Sequence, residues 1–537
     1  MKKLNFLKYI FVIFVIVLVG YSIFYMEKQD KEETSNENIV QTEEQTNLTT
    51  IRTLRVAATN VDSINPIVSR NQNVQDFSKL IYEPMLEVSE DYRIQNCLAK
   101  EWISLSDTAY VVVLKDGVKF HNGSELTATD VKFTIEQIQA IGEGSIYYQN
   151  VKNITKVEIL SGYTIKMTLD HKIPFFEYNL TFPIMSANYY VEDAILTSVK
   201  NNNAPGTGMY TIGNITGTEI ELRKNENWWG IAEGKKLSLD TVLIKLYTSM
   251  GEAYNAFKMG NLDLLTTQSL NYEEHIGTIG YKTTEYVGRQ HDYLAMNCSD
   301  GILKNKELRK AINYAIDKSN IIATVYGNKF YVADLPINEK SYLYNIDRVS
   351  SNYNTNKSKE ILEQAGWELR GGNWQKINDG TRARINLVVN ENNSSRVAVA
   401  QEIEKQLGDF GIIVNLIKAN DNQYQRYLEN KNYDMILTGK HAGLSPDLTS
   451  YLGEGNLSDF KDAEVTEILR QISDLTDDSE ELGMKYRRIL KLVEEERPYI
   501  SLYFSRNTVI YTQDLQGDIS PNNYNIFNNI EDWVRQY

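Results

Sequence analysis

The chain has 537 residues and a formal net charge of -15 at pH 7, from 56 Lys and Arg against 71 Asp and Glu. That length exceeds what one hydrophobic core supports, so two or three lobes are expected, and an acidic balance without a basic stripe excludes a nucleic-acid partner, whose phosphates need cations. Cys97 and Cys298 stand far apart and outside any metal-ligand spacing, which argues against a disulfide framework or structural zinc and predicts two buried free thiols.

Lys2, Lys3 and Lys8 precede an uncharged run over residues 9–26, about the length of a minimal transmembrane helix. Lysines before it and acids after it place the N-terminus inside. Leu18-Val19-Gly20-Tyr21 resembles the lipobox of bacterial lipoproteins, with Tyr21 where the lipid-bearing cysteine belongs. The reading is therefore an uncleaved signal anchor over residues 1–26, set against a signal peptide cut near Ser22. Residues 27–50 are rich in Glu, Gln, Asn and Thr; burial cannot offset the entropy of ordering them, so a flexible tether is expected.

From residue 51 onward strand and helix patterns alternate, which predicts an α/β protein with mixed sheets. Residues 110–114 form a β-branched run before the turn Lys115-Asp116-Gly117. Thr127 and Thr129 offer cap oxygens for a helix starting at Asp130. Residues 157–159 and 164–169 alternate with period two around Ser161-Gly162 and read as a hairpin. Leu308, Ala311, Ile312, Ala315 and Ile316 make one apolar helical stripe. Ala400, Ile403 and Leu407 make another, ended by Gly408 and Gly411 and followed by a strand over 412–414. A short helix over 423–428, a strand over 433–437 and a long helix over 482–495 complete the pattern.

No phosphate-binding loop, HExxH or GxSxG element occurs. His121, His171, His275, His291 and His441 lack metal-ligand spacing, and each reads as a surface or turn histidine. The chain is not expected to be an enzyme or to need a cofactor or metal.

Several ordered blocks resemble bacterial solute-binding protein family 5, the oligopeptide, dipeptide and nickel-chelate receptors of ABC importers. The most specific is Leu114-Lys115-Asp116-Gly117-Val118-Lys119-Phe120-His121-Asn122-Gly123, followed by Leu126-Thr127-Ala128-Thr129-Asp130-Val131. Others are Tyr82-Glu83-Pro84-Met85-Leu86, Gly206-Thr207-Gly208-Met209-Tyr210, Asn227-Trp228-Trp229, Asn261-Leu262-Asp263 and Glu363-Gln364-Ala365-Gly366-Trp367. Most of these read as structural, since Gly117 and Gly123 permit turns closed to other residues.

The resemblance implies a two-lobed, periplasmic-binding-protein-like fold of the type II, Venus-flytrap kind, with an extra inserted subdomain. Lobe I would comprise residues 51–84, 183–292 and 505–537, an inserted lobe II residues 85–182, and lobe III residues 293–504. Two crossing strands near 293–297 and 501–507 would carry the hinge, with ligand between the lobes. Matching the stretches that line the cleft in peptide-binding relatives gives Arg70, Asn71 and Gln72; Thr266, Thr267 and Gln268; and Gly439, Lys440 and His441. In those relatives the third stretch reads Gly-Trp-x-x-Asp, its aspartate holding the peptide amine. Here Lys440 and Gly443 stand in its place, and Asp447 is the substitute candidate. A lysine there repels an ammonium that needs a carboxylate on leaving water.

The implied function is extracellular capture of oligopeptides in an interlobe cleft and their delivery to an ABC permease, by a membrane-anchored monomer. The alternative is a membrane-tethered sensor or scaffold of the same fold with an anionic or metal-chelate ligand.

Overall fold

The computed structural model describes residues 50–191, 195–344, 352–473, 475 and 480–536. The anchor expected over 1–26, and the tether up to residue 49, lie outside the described residues. Among the described residues no helix is long and apolar enough to cross a membrane. Residues 50–537 form one compact unit.

Strand β1 (Thr53–Thr59) opens the folded part and leads to the short helix α1 (Gln72–Phe77). A separate four-stranded antiparallel sheet follows, built from β2 (Ala99–Ser106), β3 (Ala109–Leu114), β4 (Ile154–Ser161) and β5 (Thr164–Leu169) in the order β2-β3-β5-β4. The hairpin read around Ser161-Gly162 is the β4–β5 pair. Helix α2 (Ala128–Ile141) runs between β3 and β4 in sequence. The Thr127 N–H and hydroxyl both donate to the Asp130 carboxylate, at 2.9 and 3.0 Å. Thr127 is thus the cap, Thr129 lies inside the helix, and the helix starts two residues before the expected Asp130.

The main sheet has eleven strands. One half holds β1 with β6 (Tyr210–Ile215), β7 (Glu219–Lys224), β8 (Thr241–Tyr247) and β9 (Leu264–Thr267). The other half is entered through β10 (Tyr281–Met296), which leads to helix α3 (Lys306–Ala315), β11 (Arg384–Asn390), helix α4 (Ser394–Phe410), β12 (Ile413–Ala419), helix α5 (Asp421–Asn430) and β13 (Met435–His441). Helix α6 (Glu480–Glu496) then precedes β14 (Tyr499–Thr512), and β15 (Val534–Gln536) closes the chain. The order across the sheet is β12-β11-β13-β10-β14-β9-β1-β8-β7-β6, with Tyr331–Val332 pairing β14.

The expected stripes face the core: Leu308, Ala311, Ile312 and Ala315 of α3, and Ala400, Ile403 and Leu407 of α4, are buried. Gly408 sits inside α4, whose left-handed C-terminal cap is Gly411 at φ 96°, the conformation glycine adopts without a Cβ penalty. The strand expected over 433–437 is shifted two residues along, to β13, so Gly439, Lys440 and His441 are strand residues rather than a following loop.

β10 and β14 are the two long strands that join the halves. The N-terminal part of β10 pairs with the part of β14 that also pairs β9, whereas Gln290–Met296 pairs with β13. Their register slips between Val287 and His291, and again between Asp292 and Tyr293. Gly288 sits at the first slip, where an added Cβ would lie 2.3 Å from Ser505 Oγ and would have to displace that hydroxyl.

The family-like blocks converge on one structural knot. The buried Glu83 carboxylate accepts hydrogen bonds from Trp228 Nε1 (2.9 Å), Trp229 Nε1 (2.7 Å) and Thr207 Oγ1 (2.8 Å). Burial pushes its carboxyl up to about 7, the three donors pulling the other way. Gly206 passes so near that an added Cβ would fall 1.8 Å from the Ile81 carbonyl oxygen. His121 ties the same segment down: Gly206 N–H donates to Nδ1 at 3.2 Å, so Nε2 carries the proton toward the Gly208 carbonyl at 3.0 Å. Gly117 and Gly123, at φ 75° and 85°, make the turns before it. These residues build the scaffold and line no cavity described below.

Candidate functional site

A cavity of about 270 Å³ opens where three stretches of chain meet. Tyr92, Pro174 and Phe175 come from the side of the four-stranded sheet; Ile337, Asn338 and Ser341 come from the segment after the Tyr331–Val332 strand; Lys440 lies in β13, and the loop and short helix from Ala442 to Tyr451 follow that strand. The sides are already in contact. Asn338 Nδ2 donates to Tyr92 Oη at 2.8 Å, Tyr342 N–H donates to the Asp91 carbonyl at 2.9 Å, and Arg93 lies 4.3 Å from the Tyr342 ring centre. Val88, Tyr92, Phe175 and Tyr178 share one apolar cluster with Tyr293, Tyr451 and Tyr486.

The wall is aromatic. Tyr451 packs against Tyr293 (5.2 Å between ring centres), Tyr499 (5.5 Å) and His291 (5.7 Å), and Phe504 lies 4.7 Å from His291. Lys440 Nζ stands 3.7 Å above the Tyr451 ring, a cation–π contact that strengthens as water is removed, and donates to Ser450 Oγ. Burial lowers the Lys440 ammonium to about 8, with Asp447 pulling it back up. Asp447 Oδ1 accepts from Thr449 N–H at 2.9 Å and Thr449 Oγ1 at 2.5 Å.

His291 corrects the expectation that every histidine is a surface or turn residue. It is fully buried opposite Lys440 in the β10–β13 ladder, with Nδ1 2.8 Å from Tyr451 Oη and Nε2 unpartnered. Burial, reinforced by Lys440 and Lys318, pushes it down to about 3, so it is held neutral. The unfolded chain takes up its proton near 6.5 while the folded one does not; the stability linked to this residue is complete above that pH and is lost as pH falls toward 3. We therefore expect the stability difference between wild type and His291→Gln to shrink by about 1.4 kcal/mol per pH unit below 6.5. Urea midpoints for both proteins at pH 7 and pH 5 measure it, and parallel curves would refute it.

Of the ten site candidates from the sequence, Lys440 and Asp447 line this cavity. The first stretch is occupied otherwise. Arg70 Nη1 donates to the Glu143 carbonyl at 2.7 Å, Asn71 caps α1 and donates to the Thr59 and Asn60 carbonyls at 2.8 Å, and Gln72 Nε2 bonds Asp76 Oδ1 at 2.8 Å. Thr266 and Thr267 belong to β9, Thr267 Oγ1 lying 2.6 Å from Tyr254 Oη, and Gln268 is exposed. Gly439 gives room to a buried ion pair, since an added Cβ would fall 1.9 Å from Asp292 Oδ1. Asp292 holds Arg396 through two 2.8 Å bonds. His441 is exposed opposite Gln290.

Sequence reading missed Tyr92, Phe175, Tyr451 and Arg289, whose Nε donates to the Ala442 carbonyl at 3.0 Å beside the cavity. No local pattern marks them; they meet only through the crossing strands. Cys97 is a buried free thiol, whereas Cys298 is only half-buried. Among the described residues no group of three or more His, Cys, Asp or Glu side chains is placed to hold a metal ion.

Residues 93–458 match the family of bacterial extracellular solute-binding proteins, family 5 Middle. The chain belongs to this family. This family 5 protein is 24% identical over 474 residues to the oligopeptide-binding protein AppA of Bacillus subtilis, covering 84% of this chain and 86% of that one. HbpA2 from Haemophilus parasuis has the same fold at a TM-score of 0.74 and 20% identity, over 90% of this chain and 100% of that one. NikZ from Campylobacter jejuni, solved in complex with Ni(L-His), aligns at a TM-score of 0.60 and 23% identity, over 90% of this chain and 99% of that one. These likenesses establish the two-lobed solute-binding fold.

Proposed function

We propose that this family 5 protein captures a short peptide outside the cytoplasm and hands it to an ABC permease, as a non-enzymatic monomer held to the membrane by residues 1–26. The observation that carries the reading is the cavity walled by Tyr92 and Phe175 on one side and Lys440 to Tyr451 on the other, because a solute filling it touches both sides at once. Such a solute favours the shut arrangement by the difference between its affinities for the shut and open forms. The oligopeptide-binding relative supports the ligand class. A volume of about 270 Å³ lies just below the ~300–1,000 Å³ of pockets for drug-sized ligands, which favours a peptide of two or three residues over a long one.

In this reading lobe I comprises residues 51–84, 183–292 and 505–537, lobe II residues 85–182 and lobe III residues 293–504, with the hinge at the register slips of β10 against β14. The membrane anchor rests on the apolar run over 9–26 and on Tyr21 at the lipid-cysteine position.

Native mass spectrometry of the full chain released from membranes is expected to show a co-purified mass matching a di- or tripeptide. A metal complex in its place, or a chain found in the soluble fraction and beginning after Tyr21, would overturn the corresponding part of the reading.

A further inference from the structure

Large apolar side chains exposed singly are ordinary on a protein surface. Met259 and Ile279 are exposed together: they are 76% and 88% accessible and stand at the tips of two neighbouring turns. Met259 follows the helix Met250–Lys258, and Ile279 lies between the helix Glu273–Ile276 and β10. Each is followed by a glycine in the left-handed region, Gly260 at φ 74° and Gly280 at φ 90°, which lets the chain reverse just after the apolar residue. Both turns rest on one apolar cluster. In it Phe257 packs edge-on against Tyr281 at 6.3 Å between ring centres, and Tyr281 Oη donates to the Gly277 carbonyl at 2.8 Å.

This pair of tips sits at the end of the sheet where the chain enters the body. Arg55 Nη1, near the start of β1, donates to the Gly260 carbonyl at 2.8 Å. Thr50 and Ile51 pair with Gln536 and Arg535, and Arg535 reaches the Thr53 carbonyl and Asp263. Tyr281 pairs with Thr512, whose N–H donates to the Asp263 carbonyl at 2.9 Å. Ahead of Thr50 the sequence carries the apolar run over 9–26, and residues 27–49 between them span about 80 Å at most when fully extended. In a chain anchored by that run, this end of the body is the one nearest the bilayer along the chain.

The charges here suit an anionic surface, although the whole chain carries -15. Lys258 directly precedes Met259 and Lys282 directly follows Tyr281; both are exposed, and neither forms an ion pair among the described residues. The acids around them are engaged: Asp263 with Arg55 and Arg535, Asp514 with Arg535, Glu273 with Lys329, and Glu274 with Asn271 Nδ2. Apolar tips flanked by lysines match the layering of acyl chains beneath anionic headgroups. A tethered body meets that surface at high effective concentration, so two side chains and two charges suffice for a reversible contact.

We infer that Met259 and Ile279, with Lys258 and Lys282, form a lipid-contact face that seats the body on an anionic membrane surface. None of the four lines the cavity, so the face sets how the tethered body stands on the membrane and leaves solute capture to the cleft. The inference rests on the anchoring reading for residues 1–26 and adds which side of the body meets the bilayer.

The test uses the full chain reconstituted into phosphatidylcholine vesicles with or without phosphatidylglycerol. A polarity-sensitive NBD label is placed on Met259→Cys, on Ile279→Cys or, as a control on the four-stranded sheet, on Leu160→Cys, whose side chain is also exposed. Each carries Cys298→Ser, while Cys97 is buried. Blue-shifted emission, quenched by lipids spin-labelled in the upper acyl chain, is expected at residues 259 and 279 and absent at residue 160, and it should be stronger with phosphatidylglycerol. With the label at residue 279, Lys258→Gln and Lys282→Gln are each expected to lower the seated-to-free ratio about fivefold. Flotation with the vesicles but water-like emission at both tips overturns the lipid face and leaves the anchor standing. Equal quenching at residue 160 means adsorption without a preferred side and also overturns it. A blue shift that persists in detergent and grows with protein concentration overturns it in favour of a second copy of the chain. A chain that does not float with the vesicles overturns the anchoring reading and this inference together.

Discussion

Asp263→Ala is expected to cost about 3–5 kcal/mol of stability, the usual penalty for removing one partner of a buried ion pair. Asp263 is fully buried. One oxygen accepts from Arg55 N–H (2.7 Å), Arg55 Nε (2.9 Å) and Arg535 Nη1 (2.9 Å), and the other from Arg55 Nη2 (2.5 Å). The Arg535 side chain is 3% exposed and also bonds the Thr53 carbonyl and Asp514. Without Asp263, Arg535 keeps the Thr53 carbonyl and Asp514 but loses its tie to the start of β9, and two guanidiniums lose a shared counter-charge. Asp263→Asn, which keeps the shape and loses the charge, should fall between wild type and alanine. Chemical denaturation of the three proteins measures this; an unchanged alanine midpoint would show that the cluster contributes nothing net.

Tyr451→Ala should be comparably severe, about 3–5 kcal/mol by analogy with other buried aromatic truncations, and should also impair capture. The ring is the meeting point of His291, Tyr293, Tyr499 and the Lys440 ammonium. Its loss widens the cavity and frees Lys440. Tyr451→Phe keeps the ring but strips His291 of its one hydrogen bond, which should cost about 1–3 kcal/mol for a buried polar group left unsatisfied. Stability and solute affinity measured together separate the two substitutions: alanine should lower both, phenylalanine mainly stability. Equal affinity in wild type and Tyr451→Ala would remove the aromatic wall from the binding account.

Much of the scaffold is legible in local pattern. Thr127 and Asp130 mark a helix start because hydroxyl and carboxylate satisfy each other within one turn, even though the boundary falls two residues from where spacing alone puts it. Gly411 marks a helix end because its backbone must turn left-handed. The ordered blocks around Glu83, Gly206 and Trp228 identify the family for a related reason: a buried carboxylate, a backbone contact and two indoles must be supplied together.

The site was legible only in part. Lys440 was noticed as a departure from the peptide-binding pattern, and it lines the cavity with Asp447. Arg70, Asn71 and Gln72 stand in a stretch matched to the cleft lining of peptide-binding relatives, and in this structure their polar groups are taken up by a carbonyl, a helix cap and Asp76. Polarity alone does not distinguish a side chain reserved for a ligand from one already satisfied.

By itself the sequence determined the alternation of strands and helices, the caps and turns, the acidic character and the family, because each is written in neighbouring residues or in ordered blocks. Only the tertiary structure decided which distant residues share the cleft. His291 and Lys440 become neighbours because β10 and β13 pair in one register, and Arg289 meets Ala442 just beyond it. Period-two alternation names two faces of a strand, but the chain packed against each face decides which is dry, which is charged and which meets a solute.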